Sequence, residues 1–284
     1  MSERSSEICY FSEKSPPDSL LHLRNFKPII CQTLAQIKNT MRLRYDVYCL
    51  RKGWEAAHAF PDRLESDEFD EHAVHILLIE RQTGLAVGSA RIVFADPSAA
   101  HARLPSFAIG PDFREAAGRS LPLATTVEIS RLTVLRAGDA SADSGTPDST
   151  GRVSLALGLL KGVGQAMAAA QATHACFLGS RSLKRLMEGF GFRFYDFGLT
   201  LQHRGTRSFL WRDWAALMTN IHDGRPDVWR YLTDDGAIWP VDRAAVQREA
   251  EALSEMGAAP SLWRSPGGHV LRPQAHANGA HPQV

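Results

Sequence analysis

TVEISRLTVL, Thr126 to Leu135, has the β-branched and aliphatic composition of a strand, yet Glu128 and Arg131 sit inside it. Charges in an apolar strand cost free energy unless they pair or serve a site, so this run holds either a structural ion pair or chemistry. Residues three apart point to opposite faces of a regular strand. Glu128 and Arg131 therefore serve different faces, or a bulge near Ile129 or Ser130 brings them together.

Upstream, the runs 72–80 and 85–94 read as an antiparallel hairpin turned at Gly84, with Arg91 inside the second strand. A buried guanidinium needs a carboxylate, and the acidic turn ESDEFDEH, Glu65 to His72, is the obvious source. Residues 23–33 suit a strand, and 34–51 switch to helical spacing through Leu34, Ile37, Met41, Tyr45 and Tyr48. The stretch through Leu104-Pro105 and Pro111-Asp112 reads as irregular. Downstream, a loop from Gly138 to Gly151 leads into a helix from Val153. A strand over 173–178, a helix over 182–190, a strand-rich segment over 192–210 and helices near 214–221 and 243–256 follow. The order β-α-β-β-β-α-β-α-β predicts an α+β fold on one central mixed sheet. The expected organisation is a loose arm over 1–20, a main domain over 21–215, a helical extension over 216–258 and a disordered tail over 259–284.

Lysine and arginine number 32 against 31 aspartate and glutamate, so no global field favours nucleic acid. Cys9, Cys31, Cys49 and Cys176 form no C-x-x-C pair, which predicts reduced thiols in a cytoplasm and no metal site. Residues 153–172 are apolar-rich but broken by Lys161, Gln165 and Gln171, as in a buried helix rather than a transmembrane segment.

Two further clusters carry chemistry. In LRYDVYCLRKGWE, Leu43 to Glu55, a regular helix puts Arg44, Tyr48 and Arg51 on one face, with Trp54 beyond. They either clamp an anionic group between aromatic walls, or form core anchors with solvated arginines. Glu65, Asp67 and Asp70 either orient an amine, hold Arg44 or Arg91, or form a solvated turn.

In order and separation these segments resemble the acyl-homoserine-lactone synthase pattern: Arg with a Val-aromatic pair, Trp, E-x-D-x-x-D, a strand Arg, then E-x-S-R. They stand here as Arg44, Val47, Tyr48, Trp54, Glu65, Asp67, Asp70, Arg91, Glu128, Ser130 and Arg131, with Tyr48 where those synthases usually carry Phe. Three stretches are more similar to the acyltransferases associated with exosortase and PEP-CTERM sorting systems, and to their relatives the long-chain N-acyl amino acid synthases. These are LRYDVYCLRKGWE, FPDRLESDEFDEHAVHILL and GFGFRFYDFGLTLQHRGTR, the last carrying His203, Gly205 and Arg207 like that family's His-Gly-Arg motif.

The resemblance implies a GNAT-like three-layer α/β/α fold with a mixed, mostly antiparallel sheet whose central strands splay to admit a thioester arm. It implies an N-acyltransferase moving an acyl chain from an acyl carrier protein, or from acyl-CoA, to a small amine such as an amino acid, with no tightly bound cofactor. Glu128 and Arg131 would be catalytic. Arg44, Tyr48, Trp54, Asp67, Asp70 and Arg91 would serve the acceptor, while Leu132, Val134, Gly151 and Arg152 would serve the donor. Glu65, Ser130, His203 and Arg207 are further candidates. The pyrophosphate loop of acetyl-CoA users has no counterpart between Arg136 and Gly151, and Met187 stands where such enzymes often place a tyrosine acid. Both absences favour a carrier-protein donor, for which Lys184, Arg185 and Arg193 form either a docking patch or a solvated helix face. The rival readings are a lactone synthase using S-adenosylmethionine and a non-catalytic acyl-binding module.

Overall fold

The computed structural model of the chain describes residues 18–95, 103–135, 149–256, 261–262 and 270–271. A 3-10 turn, Asp18–Asn25, buries Leu23 and feeds strand β1 (Phe26–Ile30), so the strand expected from residue 23 is shorter. Helix α1 (Leu34–Arg44) starts at a capping box between Thr33 and Gln36 and runs directly into a π-helical segment, Tyr45–Arg51. The regular spacing expected of Arg44, Tyr48 and Arg51 is lost there. A π turn bonds i to i+5, as in the 2.9 Å bond from Lys52 N–H to Val47 O, so Arg44 and Tyr48 are buried while Arg51 faces solvent.

The hairpin forms as β2 (Ala73–Glu80) and β3 (Ala86–Phe94). The stretch expected to be irregular holds two helices, α2 (Pro105–Ile109) and α3 (Pro111–Ser120). Each opens on a proline, whose missing N–H costs nothing in a first turn, and α3 buries Phe113, Ala116 and Ala117. After β4 (Thr126–Val134), α4 spans Ser149–Ala169. It starts before Val153, so Gly151 and Arg152 lie in its first turn, with side chains outside the described residues. Then come β5 (His174–Gly179), α5 (Arg181–Gly189), β6 (Tyr195–Gln202), β7 (Thr206–Asp213) and α6 (Trp214–Gly224). Helix α7 (Pro226–Thr233), another proline-initiated helix absent from the sequence reading, and α8 (Arg243–Glu255) complete the helices. Within the stretch expected to be a disordered tail, β8 (Ser261–Leu262) and β9 (Val270–Leu271) pair with β6. The rest of that stretch, and residues 1–17, lie outside the described residues.

The sheet order is β1-β2-β3-β4-β5-β7-β6-β8, with β9 also on β6, and its pairs are antiparallel except β4–β5 and β6–β9. One face buries Ile76, Leu78, Ile92, Val127 and Ile129 under α4, α6 and α7; the other buries Val93, Cys176, Phe209 and Trp211 under α2 and α3. Gly158 and Gly162 let α4 lie close to the sheet: a Cβ on Gly162 would fall 2.6 Å from Ile76 Cγ2 and 2.9 Å from Pro28 Cβ.

The β4–β5 pairing places the site. It runs from Thr126 opposite His174 to Glu128 opposite Cys176 and then stops, although β4 continues to Val134 and β5 to Gly179. The strands part immediately after Glu128. Since Leu135 donates to Val87 on β3, alternation turns the N–H groups of Leu132 and Val134 toward this slot.

Candidate active site

Three guanidiniums face three carboxylates beside the slot. Arg44, at the end of α1, pairs through Nε with Glu65 and through both Nη atoms with Asp70, at 2.6 and 2.7 Å. Arg91 on β3 reaches Asp67 at 2.5 Å and Asp70 at 2.8 Å, and its Nε donates to Ser130 Oγ at 3.1 Å. Arg131 closes the lattice on Glu65 at 3.0 Å and Asp67 at 2.8 Å. Burial raises the Asp70 carboxyl, but the hydrogen bonds and charge of Arg44, with the charge of Arg91, hold it well below the usual carboxylate range.

The acidic turn thus supplies the partners that the buried arginines require. Of the alternatives read from sequence, the lattice has Glu65 and Asp70 holding the arginines; Arg44, Glu65, Asp70 and Arg91 do not line the cavity, their polar atoms being engaged within the lattice. Asp67 alone of the three paired carboxylates reaches the cavity wall.

The bulge takes shape at Arg131. Its φ is +51°, and the β3–β4 register slips between Ser89 opposite Thr133 and Arg91 opposite Ser130. A non-glycine residue in that region is strained, and the ion pairs to Glu65 and Asp67 hold it there. The extra residue changes the phase of the strand. Ser130 reaches Arg91, Arg131 the carboxylates, and Thr133 Oγ1 the Tyr48 hydroxyl at 2.9 Å, while Leu132 and Val134 pack with Ile129 on the opposite face. Glu128, Ser130 and Arg131 consequently share one face.

Glu128 has a clasp that the sequence reading missed. Ser106 donates to Glu128 Oε2 from its backbone N–H at 2.9 Å and from Oγ at 2.7 Å. The signal was the proline at Pro105: the next residue's amide is an unpaired donor of a helix first turn. Burial pushes the Glu128 carboxyl up to about 7 against the Ser106 hydrogen bonds and the charges of Arg91 and Arg131. It is a carboxylate poised to exchange a proton near neutrality.

A cavity of about 490 Å³ fills the slot and draws its wall from both faces of the sheet. Leu132, Leu160, Phe177, Leu183, Met187 and Phe194 give it an apolar side. Tyr48, Trp54, Asp67, Glu128, Ser130, Arg131, His203, Arg204 and Arg207 give it a polar one. The rings of Tyr48 and Trp54 lie 5.5 Å apart, with Arg131 over Tyr48 at 5.7 Å and Arg204 over Trp54 at 5.6 Å. Burial, with the charges of Arg131 and Arg207, keeps His203 below the usual imidazole value. Among the predicted donor residues, Leu132 lines the cavity and Val134 does not. Lys184 is buried and paired with Asp196 at 3.5 Å, so it does not belong to an exposed basic patch. A second cavity, about 740 Å³ between β1, α4 and α7, contains none of the motif residues.

Residues 43–137 match the family model described as an acetyltransferase (GNAT) domain. That span holds the arginine–carboxylate lattice, the hairpin and β4 with Glu128 and Arg131. The chain carries a GNAT-type acyltransferase domain. No curated protein matches the chain of this acyltransferase. Its structure is similar to that of the AHL synthase LasI, at 18% identity over 66% of this chain and 87% of that one, TM-score 0.48. It is similar also to MesI, a CoA-dependent acyl-homoserine lactone synthase, at 21% identity over 75% and 97%, TM-score 0.49. A third is FeeM, an N-acyl amino acid synthase from uncultured soil microbes, at 12% identity over 69% and 93%, TM-score 0.47. Among the described residues, no helix of the acyltransferase is long and apolar enough to cross a membrane.

Proposed function

We propose that the enzyme transfers an acyl chain from an acyl-carrier-protein or acyl-CoA thioester to the amine of a small acceptor, an amino acid in particular. The observation that carries this reading is the cavity itself: it passes through the parted strands, apolar on one side and polar on the other, with Glu128 where the strands separate. The apolar side suits an acyl chain. The amides of Leu132 and Val134 would polarise the thioester carbonyl. The amine attacks that carbon, the C–N bond forms and the C–S bond breaks. Glu128 takes the amine proton and returns it to the departing thiolate. Arg131 is tied at Nη2 but its buried Nε has no partner among the described residues, which supports a role on acceptor or thioester oxygen. Tyr48, Trp54 and Asp67 would wall the acceptor, and Ser130 would keep Arg91 in place; His203 is a further polar group for that end.

The carrier-protein donor is favoured by the missing pyrophosphate loop and by Met187 in the cavity wall. The start of α4, with Gly151 and Arg152, would receive the single phosphate of the pantetheine arm. Such a donor places the reaction in the cytoplasm. Resemblance of the three long stretches, including His203-Arg204-Gly205-Thr206-Arg207, supports an association with exosortase and PEP-CTERM systems. Mass spectrometry of lipid extracts from cells expressing the protein should show a new N-acyl amine, absent with Glu128→Gln. A lactone made with consumption of S-adenosylmethionine would replace this reading by the synthase one, and no acylated product would leave an acyl-binding module.

A further inference from the structure

Of the charged groups lining the cavity, two have no charged partner among the described residues, Glu128 and Arg207. Arg44, Arg91 and Arg131 are matched by Glu65, Asp67 and Asp70. Arg204 is paired with Glu55, and Glu68 at the rim with Arg103. Glu128 is held by Ser106 rather than by a cation. Arg207 has no carboxylate partner among the described residues. Its side chain donates to two carbonyl oxygens of its own turn, His203 O at 3.1 Å and Arg204 O at 3.0 Å. Two of the five guanidinium N–H donors are thus used to fix the fork, and the half-buried head remains in the cavity wall.

The turn itself is built to hold that fork. Arg204 and Gly205 both have positive φ, +52° and +95°, which turns the carbonyls of 203 and 204 toward Arg207. A half-buried guanidinium fixed by neutral carbonyls, with donors left over and no carboxylate bonded to it, suits one anionic group. On the same side stand Tyr48, Trp54 and His203, with Asp67, Arg131 and Arg204, which are already engaged in ion pairs. None of the cavity's carboxylates bonds Arg207: Asp67 and Glu68 are taken by other arginines and Glu128 by Ser106.

We propose that Arg207 anchors the carboxylate of the acceptor, so that the enzyme acylates an amino acid and discriminates against amines that lack the acid group. This rests on the acyl-transfer reading above. On the reading above the donor's phosphate would sit at the start of α4, a different element, which would leave the Arg207 wall to the acceptor. A bidentate guanidinium–carboxylate contact also fixes the orientation of the acceptor, and so of its amine.

Isothermal titration of the full chain with two product-like probes, N-dodecanoylglycine and N-dodecanoylglycinamide, tests this directly, since they differ only in the charge. Wild type should bind the acid at least about tenfold more tightly, the scale of a hydrogen bond to a charged group in a partly buried site. Arg207→Gln should bring acid and amide to within about twofold of each other without weakening the amide, and Arg207→Lys should keep part of the preference. Equal binding of the probes by wild type, a preference retained in Arg207→Gln, or equal loss of both probes in that variant would each overturn the proposal. So would a tenfold loss of 4′-phosphopantetheine binding in Arg207→Gln with the acid preference intact, which would assign the residue to the donor. If wild type ignores the charge yet expressing cells accumulate an N-acyl amine, the anchor falls and acyl transfer stands. If neither binding nor product is found, the acyl-transfer reading itself falls.

Discussion

At the scale of single residues, Glu128 and Arg44 are two buried charges in different settings, one on the cavity wall and one locked inside an ion-pair lattice. Glu128 lies in the apolar part of a strand with one oxygen clasped by Ser106, and its carboxyl rises from the ordinary 4.5 to about 7. In the proposed role of proton acceptor it must be ionised, so kcat/KM for acyl transfer should climb through about pH 7, and Glu128→Gln should abolish that limb. The sign for stability is opposite. A carboxyl raised on folding favours the protonated state, so its burial becomes costlier as pH rises from 4.5 to about 7. Urea unfolding at pH 4 and pH 8 should show Glu128→Gln gaining up to about 3 kcal/mol on wild type over that interval. Arg44 is different, because both its carboxylate partners are buried with it. Arg44→Ala should cost about 3–5 kcal/mol in urea unfolding, the price of leaving buried carboxylates short of a counter-charge. That Arg91 required an acidic partner from residues 65–72 was legible in its apolar surroundings. Which of the arginines would face substrate was not, since the lattice is assembled from α1, the acidic turn, β3 and β4.

At the scale of elements, departures from regular geometry do the positioning. The π-helical stretch after α1 sends Arg44 and Tyr48 inward, and the bulge at Arg131 puts Glu128, Ser130 and Arg131 on one face. The bulge was one of two alternatives visible in the spacing of Glu128 and Arg131. The π turn left no trace, because Tyr45 to Arg51 has ordinary helical composition. Helices α2 and α3 were missed although Pro105 and Pro111 marked their first turns. Helix α4 depends on its glycines for a close seat on β1 and β2. Gly162→Ala would drive a methyl into Ile76 and Pro28, and the overpacking should outweigh the gain in helix propensity. A net loss of about 1–2 kcal/mol is expected, read as a lower urea midpoint with unchanged m-value.

At the scale of the whole molecule, the helices after β7 belong to the core beneath the sheet. Trp214, Leu217, Met218, Ile221, Val228 and Leu232 are each at most 3% exposed in the same apolar cluster as α4. On the other side Glu249 of α8 takes two bonds from Arg212 of β7, at 2.8 and 3.0 Å. A chain ended at residue 215, the expected limit of the main domain, should therefore lose cooperative unfolding and bind a hydrophobic dye, as circular dichroism melts and fluorescence would show. The sequence by itself determined the α+β class, the hairpin, the strand with two internal charges and the acidic turn that answers the arginines. Each of these is local, set by periodicity and by the cost of burying a charge. Only the tertiary structure decided where β4 and β5 part, that Ser106 clasps Glu128, and that Arg207 stands in the cavity wall with no carboxylate partner among the described residues. These depend on contacts between residues far apart in the chain, and no local pattern carries the position at which two strands cease to pair.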